Sequence, residues 1–305
     1  LYKIFFSFSL MNWKLFFGVV FVLVVIVLLG VYWFIPLGEI NFGTKSSNSN
    51  FSVGNSSFQG MQFYENMRFP DSKISYKIHD CSLQKRNDME RGFDMLANLT
   101  SLSFYAVASG EEISVVCDEK TKMEGNLFIA GEAGPTNITV AGNFNVILNG
   151  GILLLKDSSC PNPNIAIHEL LHVLGFEHSS NENNIMYPVS DCKQIIGQDI
   201  IDLIEKLYSI SSQPDLSFEN VSAIMRGKYL DTNITIRNNG LSDAETSKMA
   251  IYADNELIKE FDVDAMKIGF GETIRLNNVW ISQISVDELK FFIDYDSEEL
   301  DKNNN

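Results

Sequence analysis

Three of the four histidines in the chain lie within eleven residues, in the stretch HELLHVLGFEH from His168 to His178. His168 and His172 are four residues apart, so on a helix they share one face, with Cβ atoms about 5–6 Å apart. Glu169 follows the first histidine directly. Gly175 allows the chain to leave the helix and turn back, so that His178 approaches the same point from outside it. The spacing therefore predicts three imidazoles around one point, with a carboxylate beside them.

Three imidazoles with an adjacent glutamate are the groups that a catalytic zinc site requires, and the spacing HExxHxxGxxH is typical of zinc proteases. Such a site takes three protein ligands and keeps a fourth position for water, whose pKa the metal lowers towards about 7. We therefore interpret His168, His172 and His178 as ligands of one catalytic zinc ion. Glu169 is predicted to act as general base on the water and to pass the proton to the leaving amine. The isolated His79 is expected to be structural or surface-exposed.

The composition suits two folded domains and argues against one class of partner. With 305 residues, the chain is long enough for two domains. Its hydrophobic content of 45% is compatible with a core in each of them. Its formal net charge is −16, so binding of nucleic acid by a basic surface is not expected. The acidity is interpreted as a solvated, soluble surface.

An uncharged apolar segment occupies residues 15–37. As a helix it would span about 30 Å of hydrocarbon. It is longer than the apolar core of a signal peptide and no A-x-A-like cleavage site follows, so an uncleaved transmembrane helix is expected, with a cleaved and secreted form as the alternative. Lys3 and Lys14 predict that residues 1–14 are cytoplasmic, which places everything after residue 38 outside the cell.

The rest of the chain divides into a tether, two domains and a short linker. Residues 38–60 are rich in Ser, Asn and Gly and are predicted to form a flexible tether. Residues 61–210 alternate strand and helix patterns, which favours a mixed sheet with helices packed on it. After a linker at 211–215, six or seven short alternating segments in residues 216–305 indicate an antiparallel β-sandwich. Within the first domain, Asn164 is expected to cap the N-terminus of the histidine helix.

The four cysteines are Cys81, Cys117, Cys160 and Cys192, and none has CxxC spacing. An even number in a domain outside the cytosol suggests two disulfides, with three possible connectivities. We favour Cys81–Cys117 and Cys160–Cys192. The second pair would tie the start of the histidine helix to the segment just after Met186.

The sequence HELLHVLGFEHSS, followed by NIMYP at 184–188, resembles the metzincin clan of zinc endopeptidases and, within it, the matrixin family. Met186 lies eight residues after His178, where the clan has the methionine of its Met-turn. The resemblance implies an α+β zincin fold, with a twisted mixed sheet and an active-site helix. It implies the three histidines as zinc ligands, Glu169 as the catalytic acid and base, and Met186 as the hydrophobic base of the site. It also implies that substrates bind in extended conformation along an edge strand, expected within residues 142–157.

The sequence departs from the matrixin pattern in two ways. No cysteine precedes Cys81, so latency through a cysteine switch is not expected. Outside the motif only His79 remains, so a second, structural metal like those of animal matrixins is also not expected.

The last part of the chain resembles the CARDB family, a sandwich domain of archaeal and bacterial surface proteins. PDL at 214–216, ITIRNNG at 234–240, GET at 271–273 and the closing DYDSEELDKNNN carry this likeness. It implies adhesion to cell-surface partners or a spacing role.

Together these features predict a membrane-anchored, extracellular zinc endopeptidase that acts on peptides or proteins. The alternative is a non-catalytic surface adhesion protein with a degenerate protease domain. Retention of Glu169 with all three ligands favours the enzyme.

Overall fold

A mixed sheet carries the histidine helix, and an antiparallel sandwich follows it in the chain. The computed structural model describes residues 13–34, 39–45, 60–120, 122–124, 127–157, 160–283 and 286–304. The helices are α1 (Trp13–Phe34), α2 (Leu83–Leu99), α3 (Asn164–Val173) and α4 (Gln198–Tyr208), with a 3₁₀ turn at Lys302–Asn304. The strands are β1 (Glu39–Lys45), β2 (Met67–Arg68), β3 (Lys73–Ile78), β4 (Ser103–Ala106), β5 (Ile113–Cys117), β6 (Lys122–Glu124), β7 (Leu127–Ile129), β8 (Gly131–Ala141), β9 (Phe144–Leu154), β10 (Leu216–Arg226), β11 (Tyr229–Asn238), β12 (Ser247–Ala253), β13 (Glu256–Val263), β14 (Gly271–Trp280) and β15 (Leu289–Asp294).

The sheet of the first domain has the order β2-β9-β5-β3-β4, with all these pairs parallel, and β8 lies antiparallel against β9. Helices α2 and α3 contribute to one apolar core with this sheet. A side chain at Gly150 of β9 would collide with Val173, so glycine at that position lets α3 lie directly on the sheet. The helix that carries the first two histidines is thereby fixed against the strands.

The prediction that the substrate-binding edge strand lies within residues 142–157 was wrong. Strand β9 pairs with β8 along nearly its whole length and also with β5 and β2, so it is an interior strand. Several of its apolar side chains, including Ile147, Ile152 and Leu154, are buried in the core of the domain. The outer strand is β8, which precedes the hairpin turn.

The second domain is a sandwich of a four-stranded sheet, β1-β10-β11-β14, and a three-stranded sheet, β13-β12-β15. Its antiparallel pairing follows the alternation of the sequence, and the inward-facing residues form a separate apolar core. The antiparallel all-β architecture agrees with the expectation for residues 216–305.

Strand β1 corrects the prediction of a flexible tether from residue 38. Residues 39–45 pair antiparallel with β10, from Glu39 opposite Arg226 to Lys45 opposite Val221. Phe42 packs on the sandwich core, and Gly43, at φ +80°, lies at the irregularity in the pairing. Residues 46–59 of the predicted tether lie outside the described residues. The sandwich is thus built from segments on both sides of the first domain in the sequence.

The two domains meet at the tip of the β8–β9 hairpin. Ala141, Phe144 and Val146 form a small apolar cluster with Leu241 and Ile268 of the sandwich, and all five are buried. At Gly269, φ is +73°, and an added Cβ would lie 2.6 Å from both Thr139 Oγ1 and Val140 O. Glycine at this position therefore allows the sandwich to contact the strand directly.

The linker predicted at residues 211–215 is held by hydrogen bonds at this junction. Leu241 N donates to Gln213 O at 2.7 Å, and Ser212 Oγ donates to Leu241 O at 3.1 Å. These bonds join the linker to the sandwich.

Helix α1 agrees in type with the apolar span expected at 15–37, although its described bounds differ. The 18 residues Trp13–Gly30 have a mean hydropathy of 2.7 and are long and apolar enough to cross a membrane. Their side chains are largely exposed, whereas a helix of a soluble core would be buried. Residues 35–38 lie outside the described residues.

Asp215, at the start of the sandwich, is expected to make the stability of the second domain depend on pH. Its side chain is fully buried, and Oδ1 accepts a hydrogen bond from Asn304 Nδ2 at 2.9 Å. Burial raises the pKa of Asp215 to about 6, and the charges of Glu299 and Asp301 add to this effect. The folded state therefore favours the protonated carboxyl, and the stability that it contributes below pH 4 is lost as the pH rises through about 6.

We expect Asp215→Asn to remove this loss, which is on the order of 3 kcal/mol in free energy of unfolding. Urea unfolding of the second domain between pH 4.5 and 7.5 measures it. Asp264→Asn, at an exposed position of the same domain, is the matched control. An Asp215→Asn variant with the wild-type pH dependence would contradict the prediction.

Candidate metal centre

Helix α3 positions two of the three clustered histidines. Its N-cap is Pro163, so the expectation of Asn164 as N-cap was wrong. Asn164 is instead the first helical residue, and its Nδ2 donates to Asp191 O at 2.8 Å. This bond directs the side-chain amide to another segment of the chain. The start of the helix is therefore tied to the loop that follows Met186.

Two disulfides reinforce the same domain. Cys160 is bonded to Cys192, and Cys81 to Cys117, which are the pairs favoured from the sequence. The Cys160–Cys192 bond joins the segment before α3 to the loop after Met186. The disulfide and the Asn164 hydrogen bond thus attach adjacent residues of this loop, Asp191 and Cys192, to the start of the histidine helix.

Gly175 reverses the chain after α3. It lies at φ +94°, in the left-handed region that favours glycine, as predicted for the residue that follows the helix cap. An added Cβ would lie 2.8 Å from Met67 Cβ, so the turn also packs closely on β2. This reversal brings His178 back to the histidines of the helix.

The three imidazoles converge through their Nε2 atoms. His172 Nε2 lies 3.1 Å from His168 Nε2 and 3.1 Å from His178 Nε2. The Nδ1 atoms face backbone carbonyls, with His168 Nδ1 at 2.7 Å from Ile185 O and His172 Nδ1 at 2.8 Å from Phe176 O. An Nδ1–H that donates to a carbonyl leaves the Nε2 lone pair for a metal. In each helical histidine, the contact at Nδ1 therefore fixes the direction in which Nε2 points.

The donor set fits a single zinc ion. Zn–N bonds of about 2.0–2.1 Å in tetrahedral geometry place two nitrogens about 3.3 Å apart. The observed separations of 3.1 Å are close to this value, and the ligand atoms of all three histidines lie within 4.8 Å of one another. Burial lowers the pKa of His168 to about 4 and also lowers the pKa of His172. Both are therefore neutral near pH 7, which is the form that binds metal.

Glu169 lies beside the histidines beneath the outer strand. It is buried, with 5% exposure, and an added Cβ on Gly131 of β8 would lie 2.6 Å from its Oε1. Burial raises the pKa of Glu169 to about 8, and the charge of Glu132 adds to the shift. No residue within the described ranges donates a hydrogen bond to this carboxylate. It shares one cavity of about 900 Å³ with all three histidines.

Met186 lies buried in a turn between His178 and the loop that carries Asp191. Its side chain is 1% exposed, and its carbonyl accepts a hydrogen bond from Ser179 N at 2.8 Å. Its amide donates to Asn184 Oδ1 at 2.8 Å. The neighbouring Ile185 carbonyl is the partner of His168. The turn thus connects the residue after His178 to the partner of the first histidine.

Comparison with known protein families gives two matches. The family model described as Matrixin matches residues 68–209, and the CARDB model matches residues 213–305. Residues 68–209 are a matrixin domain. The β-rich domain that follows is a CARDB domain. Among curated proteins, none matches the chain.

One part of the site was not predicted from the sequence, namely a segment that precedes the matched region of the matrixin domain. Phe63 N donates to Gly175 O and Glu177 N donates to Met61 O, each at 2.9 Å. The Phe63 ring stacks on His172, with centroids 5.9 Å apart and 24° between planes. No local pattern could reveal this contact, because its partners are more than a hundred residues apart. The segment holds the reversal that carries His178.

His79 lies apart from the three clustered histidines, as expected. Its Nε2 is 3.0 Å from Glu111 Oε1, and its side chain is one third exposed. It follows β3, where its backbone amide donates to Val115 O. His79 therefore has a structural partner in the sheet of the matrixin domain.

We predict that His178→Ala weakens zinc binding at least about 100-fold, since it removes one of three protein donors from a tetrahedral site. Competition with a chromophoric chelator measures the affinity. His79→Ala is the control and should bind zinc like the wild type. Equal affinities for wild type and His178→Ala would remove His178 from the ligand set.

Proposed function

We propose that the chain is a zinc-dependent endopeptidase in which His168, His172 and His178 hold the metal. The family supports a metallopeptidase that uses zinc. The observation that carries the proposal is the convergence of three Nε2 atoms beside a buried carboxylate in one cavity. When bound, zinc would supply Lewis-acid polarisation of the scissile carbonyl and of a water molecule.

Glu169 is the proposed general base. Its carboxyl lines the cavity with the three histidines, and burial raises its pKa, so its affinity for a proton is higher than that of a solvated glutamate. It would hold that proton on one of its carboxylate oxygens and then transfer it to the leaving amine. The helix places this carboxylate next to His168, and β8 covers it from the side of the sheet.

The outer strand β8 is the proposed binding edge for the substrate backbone. It pairs with β9 on one side, and no other described strand pairs with it. An extended peptide can add to such an edge through backbone hydrogen bonds. Gly131 lets this strand pass close to Glu169, which would bring a bound peptide to the metal.

Glu169→Gln tests the mechanism. We expect the variant to retain zinc, because Glu169 is not a proposed ligand, and to lose about 10²–10⁴-fold in kcat/KM on an unstructured peptide. Metal content and turnover are measured on the same preparation. Glu90→Gln, at an exposed position of α2, should behave as the wild type. Unchanged turnover in Glu169→Gln would contradict the role of general base.

We further propose that α1 is an uncleaved membrane anchor with a cytoplasmic N-terminus and that both domains lie outside the cell. The apolar span, the lysines before it and the two disulfides support this orientation. Adhesion to a cell-surface partner through the CARDB domain stays a prediction from the resemblance.

The anchor is tested on intact cells that express the whole chain. External protease should remove the matrixin domain while the N-terminal segment stays protected and associated with membranes. Recovery of a mature protein that lacks α1 from the medium would instead establish a cleaved signal.

A further inference from the structure

The cavity around the histidines has a strongly acidic wall. Besides Glu169, its lining includes the carboxylates Glu124, Glu132, Asp157, Glu177 and Asp191. Lys156 is the single basic residue in this lining. The whole chain has 39 acidic and 23 basic residues, so the ratio of five to one around the cavity exceeds the general acidity of the protein.

These carboxylates come from five separate parts of the matrixin domain. Glu124 ends β6, Glu132 lies in β8, and Asp157 follows β9. Glu177 lies between the second and third histidines, and Asp191 lies in the loop after Met186. The fold therefore collects charges that are dispersed in the sequence, so the acidic wall is not the product of one solvated run.

Three of the five carboxylates form neither an ion pair nor a hydrogen bond with another described residue. Glu132 is paired with Lys122, whose Nζ lies 2.7 Å from its Oε2, and Asp191 Oδ1 accepts a hydrogen bond from Lys193 N at 2.8 Å. Glu124, Asp157 and Glu177 are exposed and form no ion pair with a residue in the described ranges. Their fields therefore extend into the cavity and its mouth.

An independent observation shows that the same cavity is arranged for a ligand. The Glu169 side chain is 95% buried, lines this cavity and lacks a hydrogen-bond donor among the described residues. A desolvated carboxylate without a partner is costly unless a ligand or metal uses it. The acidic wall therefore surrounds a cavity whose buried carboxylate requires a ligand or a metal.

We propose that this cleft selects cationic peptides, with lysine or arginine close to the scissile bond. The inference rests on the proposed peptidase function and specifies its substrate class. A concave surface lined by charges of one sign concentrates ligands of the opposite sign and repels those of the same sign. The same cavity also has an apolar part, lined by Ile165, Pro188 and Val189. The basic residues of the substrate would therefore lie beside a substrate residue with an apolar side chain.

The test uses the zinc-loaded chain and two peptides that are identical except for two residues on each side of the scissile bond, lysine in one and glutamate in the other. We expect the lysine peptide to bind at least about tenfold more tightly at low salt, with a preference that shrinks as salt screens the charges. Fluorescence anisotropy on Glu169→Gln measures binding without turnover.

The combined variant E124Q/D157N/E177Q should lower this preference about tenfold or more, since it removes the charges of these three carboxylates. The control E90Q/D94N/E119Q changes the net charge of the domain equally at exposed positions outside the cavity lining and should keep the wild-type preference. An equal loss in both variants would show that overall charge, and not the cleft, sets the preference.

Binding and turnover separate the two proposals. Equal binding of both peptides overturns the cationic preference, whatever the rate of hydrolysis. Absence of turnover overturns the peptidase function, and turnover that a chelator does not reduce overturns its dependence on zinc. In either case, preferential binding of the lysine peptide would still assign the cleft to cationic ligands.

Discussion

The structure depends on holding three imidazoles with their Nε2 atoms directed at one another. Nitrogens 3.1 Å apart with facing lone pairs repel unless a proton or a cation lies between them. Burial disfavours protonation, because it lowers the pKa of His168 and His172. A bound metal would remove this repulsion, so the surrounding elements can be understood by how they fix the three rings.

Two kinds of contact fix the three rings. The carbonyls of Ile185 and Phe176 orient the two helical histidines, and the backbone pairing of residues 61–63 with 175–177 fixes the reversal towards His178. The outer strand covers Glu169. Because the tip of the β8–β9 hairpin is buried against Leu241 and Ile268, the CARDB domain also contacts the strand that borders the site. The two domains are therefore joined at a functional element as well as along the chain.

Local features of the sequence predicted the histidine cluster better than they predicted the strands and segments that surround it. The spacing of His168 and His172, the left-handed Gly175 and the apolar span of α1 all follow from short-range geometry. The outer position of β8, the strand at residues 39–45 and the stacking of Phe63 on His172 follow from pairing between distant segments. Strand β1 was missed because it is short and is followed by a run rich in Ser and Asn. Asn164 was misplaced because its side chain serves a contact 27 residues away.

The most direct test of the metal centre is X-ray absorption at the zinc edge, on the full chain loaded with one equivalent of zinc. We expect three imidazole nitrogens and at least one further light atom at about 2.0–2.1 Å from the zinc, with no sulfur, since all four cysteines are in disulfides. Zinc with fewer than three imidazole ligands, or a chain that retains no zinc, would contradict this expectation.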